Sequence, residues 1–328
     1  MRICLMHASL GDVHFVRTLV TGGAGFIGST LVDRLLAEGH SVDVIDDLSG
    51  GTLANLANAR SLGAGFSFQQ MDVRVPELIE FVSVRRPEVV FHLAAQTSVA
   101  ASLNRPVFDA DSNIIGSLRV FEAALGARCS KVIVATSASA LYGDGNDKNL
   151  PFTEDTPYAT GSPNAVAQRA IIDYLKVYRK HFELDYTVLC LADVFGPRQL
   201  PNDEAGVVAN FVAALNSESA PTIYGDGRQT KDFVFVDDVV DCFVRSMTRG
   251  SASLYNIGTG IETSIRELYL SVATVTGTKV KPLRAPSRPD EPRRTAVDSQ
   301  LAKRELGWSA WTSLIEGIEA TVTGLRPQ

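Results

Sequence analysis

From about residue 16 the chain alternates short apolar runs with longer stretches of helical period. VRTLVTG (16–22) predicts a buried strand, and FIGSTLVDRLLAEG (26–39) predicts the helix after it, ending near Gly39. SVDVIDD (41–47), FSFQQMDV (66–73), PEVVFHLAA (87–95) and SKVIVATSA (130–138) predict further strands, each bounded by Gly, Pro or polar breaks. Two long helical patterns separate the later strands: PVFDADSNIIGSLRVFEAALGA (106–127) and NAVAQRAIIDYLKVYRKHF (164–182). DYTVLCLADVF (185–195) then predicts one more strand. Strand and helix in alternation imply an α/β chain with a doubly wound parallel sheet covered on both faces. After Gly196–Pro197 the regularity breaks down into loops, a short helix (206–216), small strands (PTIYG, DFVFV, SLYNIG) and two late helices. The expected division is an N-terminal extension (1–15), a core domain (16–196) and a smaller mixed α/β C-terminal lobe (197–328). Residues 232–257 of that lobe are expected to cross back to the core.

Composition narrows the class. Hydrophobic residues make up 45% and charged residues 21% of 328, which excludes disordered and fibrous chains. Lys and Arg number 31 against 37 acids, a net charge of −6, and no basic cluster stands out, so a nucleic-acid partner is not expected. No run is long enough to span a membrane. Cys4, Cys129, Cys190 and Cys242 are far apart with no His at ligand spacing, so neither a metal site nor a disulfide is expected, and a reducing cytoplasm fits.

The first strand–helix junction carries candidate chemistry. Gly22, Gly25 and Gly28 form G-x-x-G-x-x-G, where the first permits a tight turn, the second lets a pyrophosphate approach the backbone, and the third lets helix and strand pack closely. The helix that begins with Phe26 and Ile27 offers unpaired N–H groups and partial positive charge to an anion. Asp46 closes the second strand eighteen residues after Gly28, followed by Asp47. A carboxylate there accepts ribose hydroxyls and repels a 2′-phosphate, which favours NAD over NADP. The expected fold is therefore a Rossmann-type sheet with a substrate lobe.

With these residues the chain resembles the extended short-chain dehydrogenases that act on nucleotide sugars, the group that includes the UDP-glucose 4-epimerases. The resemblance covers nearly everything after residue 16. It includes Met71-Asp72-Val73, Phe91-His92-Leu93-Ala94-Ala95 with Gln96 beyond, and Asn113 in DSNIIG. Downstream it includes VFGPRQ (194–199), GDGRQTKDF (225–233), NIGTG (256–260) and Arg288-Pro289-Asp290-Glu291. It implies that Asp72, Val73, Leu93, Ala94, Ala95 and Asn113 line an NAD site. It also implies that Gln96, Ser137, Lys231 and Arg288 line a site for a nucleotide-diphosphate sugar. A homodimer built on the helices near 107–127 and 163–184 follows from the same resemblance. Ala170, Ile171, Ile172, Leu175 and Val177 supply more apolar surface than one buried face needs.

The family's catalytic positions are substituted. Its S-P-Y-x-x-S-K reads SPNAVAQ (162–168), so Asn164 stands for the tyrosine and Gln168 for the lysine, and Ala138 stands for the Ser or Thr. Neither amide exchanges a proton near neutral pH, although Gln168 retains a hydrogen bond for the cofactor and Asn164 one for the sugar. Asp193 and His92 are the candidates for a relocated acid or base, with Tyr142, Tyr158, Ser137 and Ser139 behind them. Two readings follow. One is an NAD-dependent nucleotide-sugar epimerase with a non-standard acid/base arrangement. The other is a catalytically inactive NAD- and sugar-nucleotide-binding homologue serving as a partner or regulatory subunit.

Overall fold

β1 (Arg17–Thr21) leads into the helix Phe26–Ala37, and the pattern repeats through β2 (Ser41–Asp46), β3 (Phe66–Gln70), β4 (Val89–His92), β5 (Lys131–Ser137) and β6 (Asp185–Leu191). The computed structural model describes residues 15–201, 206–288 and 291–324. The expected extension, 1–15, lies outside the described residues except for Phe15. Further strands are β7 (Asp193–Phe195), β8 (Thr222–Tyr224), β9 (Thr230–Phe235), β10 (Ser253–Ile257), β11 (Glu262–Ser264) and β12 (Leu283–Ala285). β10, β6, β5, β4, β1, β2 and β3 form, in that order, a seven-stranded parallel sheet.

Alternation along each strand sends residues to two separate cores. Val20, Val44, Phe91, Ile133 and Leu189 face one, while Leu19, Ile45, Val90, Val132 and Val188 face the other, all of them buried. A strand hidden on both faces favours apolar side chains and admits polar ones where they find hydrogen bonds, which explains the nearly continuous apolar runs. Strand order reverses at β1, with β2 on one side and β4 on the other, and the crevice of a doubly wound sheet opens at such a point.

Local signals set the helix ends. Ser162 caps the helix Pro163–Phe182 by accepting the Ala165 N–H at 3.2 Å, with Pro163 in the first turn. Ser264 and Glu267 form a reciprocal capping box on the helix Ile265–Thr276, and Gly277 ends it at φ 70°. No described helix is long and apolar enough to cross a membrane.

Two long patterns are broken where the sequence reads as continuous. The run 185–195 splits at Ala192, whose N–H donates to Ile257 O at 2.8 Å. β6 stays in the large sheet beside β10, and β7 joins β9 and β11 in a second sheet of three strands. The run 106–127 divides into Pro106–Ala110, a single π-helical turn Asp111–Ile115, and Gly116–Gly126. That wider turn carries Asn113, which is buried. The helix Val236–Arg245 packs on Phe26–Ala37, with Arg34 3.3 Å from Asp241, and leads through β10 into the edge of the large sheet.

Candidate functional site

The glycine loop is built for close approach. Gly22 has φ 72°, and a Cβ there would lie 2.7 Å from Ala94 N. A Cβ on Gly28 would overlap the Gly22 carbonyl, and one on Gly25 would lie 3.2 Å from it. A side chain is excluded at Gly22 and Gly28 and crowded at Gly25, and the first N–H groups of the following helix, at Phe26 and Ile27, have no intrahelical acceptor. Asp46 ties the loop to the end of β2, accepting Ala24 N–H at 2.9 Å and Leu48 N–H at 2.8 Å. Burial pushes its carboxyl above the usual range, against those two backbone donors. Each oxygen keeps a second lone pair. Asp47 is exposed and turns onto its own backbone, accepting Ser49 N–H at 2.8 Å and Ser49 Oγ at 2.6 Å.

Along the crevice, Asp72 holds Arg74 through both carboxylate oxygens, and those hydrogen bonds depress its pKa. Arg74 reaches on to Asp111 at 2.9 Å, which bridges the loop after β3 to the π-helical turn Asp111–Ile115. Val73 is buried against Gly116. Leu93 N–H donates to Thr21 O at 3.1 Å and Ala94 N–H to Thr21 Oγ1 at 3.4 Å, so this strand end lies beside the glycine loop; Ala95 is exposed.

At the triad positions the structure holds a chain of amides. Ser137 N–H donates to Gln168 Oε1 at 2.7 Å, Gln168 Nε2 to Asn164 Oδ1 at 2.8 Å, and Asn164 Nδ2 to Gln96 O at 2.9 Å. Gln96 N–H donates to Asn113 Oδ1 at 2.8 Å, and Asn113 Nδ2 donates back to Gln96 O at 2.9 Å. The chain ends on Asp109, whose Oδ1 accepts Gln96 Nε2 at 2.8 Å and Asn113 Nδ2 at 3.1 Å. Burial pushes the Asp109 carboxyl above its ordinary range, opposed by hydrogen bonds from Asn164 and Gln96. Ala138 is buried, and Ser137 Oγ lies 2.9 Å from Ser139 Oγ.

Asp109 is not among the residues singled out from sequence. Its signal is the spacing: it lies four residues before Asn113, one helical turn away on the same face.

The candidate bases sit in different surroundings. His92 is buried with both ring nitrogens engaged, Nδ1 2.7 Å from Thr21 Oγ1 and Nε2 2.9 Å from Ser117 Oγ. Burial lowers its pKa to about 4, so at neutral pH it is an uncharged link between two hydroxyls and does not face the crevice as a base. Asp193 is half of an ion pair with Lys231, its Oδ1 3.2 Å from the ammonium. Tyr142 donates to Asn256 Oδ1 at 2.8 Å, and burial drives its phenol far above the ordinary range; burial also raises Tyr158. Arg288 lies over the Tyr224 ring at 4.0 Å.

Comparison with known proteins gives these features a setting. Over 312 residues the chain is 45% identical to a UDP-glucose 4-epimerase of Mycolicibacterium smegmatis, covering 95% of this chain and 99% of the relative. The structure of a UDP-glucose 4-epimerase of Thermotoga maritima with UDP-glucose superposes with a TM-score of 0.89 at 39% identity, covering 94% and 98% of the two chains. That of Thermus thermophilus in complex with NAD gives 0.87 at 34%, with the same coverage. Since residues 18–258 also match its family pattern, the chain belongs to the NAD dependent epimerase/dehydratase family.

Proposed function

We propose that the protein binds NAD and a nucleotide-diphosphate sugar, of the UDP class named for its relatives, and holds them without the family's tyrosine-dependent oxidation. Support for NAD comes from the side-chain-free cradle at Gly22, Gly25 and Gly28 and from Asp46 at the end of β2. Bound there, NAD would supply a hydride acceptor. Asp72, Val73, Leu93, Ala94 and Asn113 would line its length, with the Gln168 amide at the nicotinamide end. On the sugar side, Gln96, Ser137 and Asn164 would offer hydrogen bonds, and Lys231 and Arg288 would offer charge. Cytoplasmic placement belongs to the same reading.

The observation that carries the absence of the oxidation step is the closed amide chain from Ser137 N–H through Gln168 and Asn164 to Gln96. An amide at position 164 can orient a hydroxyl but cannot take its proton near neutral pH. Mass spectrometry of the purified protein, paired with a UDP-galactose to UDP-glucose conversion assay, tests this. NAD and a sugar nucleotide should bind and no conversion should occur. Steady conversion by the wild type would overturn the inactive reading.

A second reading has one observation in its favour. Asp109 ends the amide chain as a buried carboxyl with a raised pKa and an unpartnered Oδ2, and within that chain it is the group that could take or give a proton if a substrate hydroxyl reached it directly. Wild-type conversion that disappears in Asp109→Asn would select this reading. Oligomerisation is part of the proposal too. Ile171, Ile172 and Leu175 are buried within the subunit, which corrects their use as surplus surface. Val107, Ile115, Val166, Tyr174, Val177 and Phe182 are the exposed apolar residues of these helices, and a second copy is proposed to cover them.

A further inference from the structure

On the lobe side of the crevice one ammonium lies beneath two carboxylates. Lys231 Nζ is 3.2 Å from Asp193 Oδ1 and 3.5 Å from Glu291 Oε1. The lysine side chain is 16% exposed, against 28% for Asp193 and 27% for Glu291. A solute arriving from solvent therefore meets the acids before the base. β7, which Asp193 opens, begins two residues after Leu191, and Leu191 pairs with Ser137 and Ile257 at the carboxyl ends of the large sheet. The trio thus stands at the edge where open parallel sheets take their ligands.

Lys231 cannot swing away with its strand. The next residue, Asp232, is buried and accepts N–H groups from Thr259 at 2.8 Å and Gly260 at 2.9 Å, which pins β9 to the turn beyond β10. One ammonium between two carboxylates leaves a net negative charge facing an incoming anion.

We propose that Asp193 is an internal competitor for Lys231, a carboxylate that occupies the lysine until a diphosphate displaces it and that thereby sets the affinity of the crevice for its ligand. This rests on the nucleotide-sugar reading above. A diphosphate reaching Lys231 must break a charge-assisted hydrogen bond and approach a like charge, and both oppose binding. An amide in place of Asp193 keeps the shape, removes the repulsion and adds a donor. A hydrogen bond to a charged group is worth about 10- to 100-fold in affinity.

The test is calorimetry on NAD-saturated protein, titrating UDP-glucose and, separately, inorganic pyrophosphate. The proteins are wild type, Asp193→Asn, Lys231→Met and the double variant. Asp193→Asn should bind both probes about 10- to 100-fold tighter, and the gain should vanish in the double variant. Equal or weaker binding by Asp193→Asn, or a gain that survives without Lys231, overturns the proposal. Tighter pyrophosphate binding with no UDP-glucose binding by any variant supports the competitor and defeats the nucleotide-sugar reading instead. No binding of either probe defeats both. Glu291→Gln strips the other carboxylate from Lys231 and should shift affinity in the same direction. If Asp193→Asn does not fold, Glu291→Gln decides the matter, and no gain there overturns the proposal.

Discussion

Asn164→Tyr, Gln168→Lys and Ala138→Ser together rebuild a phenol, an ammonium and a hydroxyl at the positions the amides now fill. The structure sets the cost. A lysine at 168 cannot accept Ser137 N–H, which now donates to Gln168 Oε1 at 2.7 Å, and an unsatisfied buried donor costs about 1–3 kcal/mol. Asn164 is 2% exposed, and a larger ring there adds about 1–3 kcal/mol of overpacking unless it extends over the crevice. The sum, about 2–6 kcal/mol, lies below the middle of the ~5–15 kcal/mol by which ordinary domains are stable, so the variant should fold with a lowered melting temperature. The expected gain is a general base worth about 10²–10⁴-fold in rate. Conversion of UDP-galactose to UDP-glucose, followed by ion-exchange chromatography beside a thermal melt, should show product from the triple variant and none from the wild type. A wild type that converts substrate faster than the folded triple variant would refute the reasoning, because the reacting proton would then move through a group outside the amide chain.

Three further outcomes follow from the same geometry. Asp46→Ala should bind NAD at least about tenfold more weakly and improve relatively toward NADP, since the glycine loop's anchor at Ala24, the acceptor for Leu48 N–H and the ribose acceptor go together; calorimetry that finds both affinities unchanged rules out the assignment. His92, held neutral with its pKa lowered to about 4, stabilises the fold fully above its unfolded value near 6.5, and that stability is lost as pH falls toward 4. The loss amounts to about 3 kcal/mol, so urea unfolding at pH 7 and 4.5 should show a steeper fall for wild type than for His92→Gln, and equal falls would remove His92 from the acid sensitivity. Light scattering at tens of micromolar should give a dimer mass that Val177→Asp reduces to a monomer; a monomeric wild type would exclude the pairing.

The large sheet was legible because its strands are buried on both faces and read as unbroken apolar runs. What the sequence hid is where a run changes partners. Nothing in DYTVLCLADVF marks Ala192 as the break, because the break is made by Ile257, more than sixty residues away, accepting its N–H. The substituted triad could be read residue by residue, yet its consequence could not. Gln96 is polar and sits in a loop after β4, and only the fold brings its carbonyl to both Asn113 and Asn164. His92 misled for the opposite reason: a titratable ring near a cofactor strand suggests a base, but Thr21 and Ser117 satisfy both its nitrogens out of reach of solvent.

The two unusual features of the crevice act in the same electrical direction. Relative to the pattern the chain resembles, Gln168 removes a positive charge at one end and Asp193 adds a negative one at the other, beside the half-buried Lys231. Each change alone could be absorbed by a ligand that shifts within the site. Together they lower the potential along the path a nucleotide diphosphate would take, and a low-dielectric cleft strengthens that effect over what water would permit. The amide chain is also internally bonded, so a ligand must break protein hydrogen bonds to use Asn164 or Gln168 as partners. On the proposed reading, a site arranged this way would favour ligands whose binding is set by the dinucleotide cradle and by whether Lys231 can be freed from Asp193.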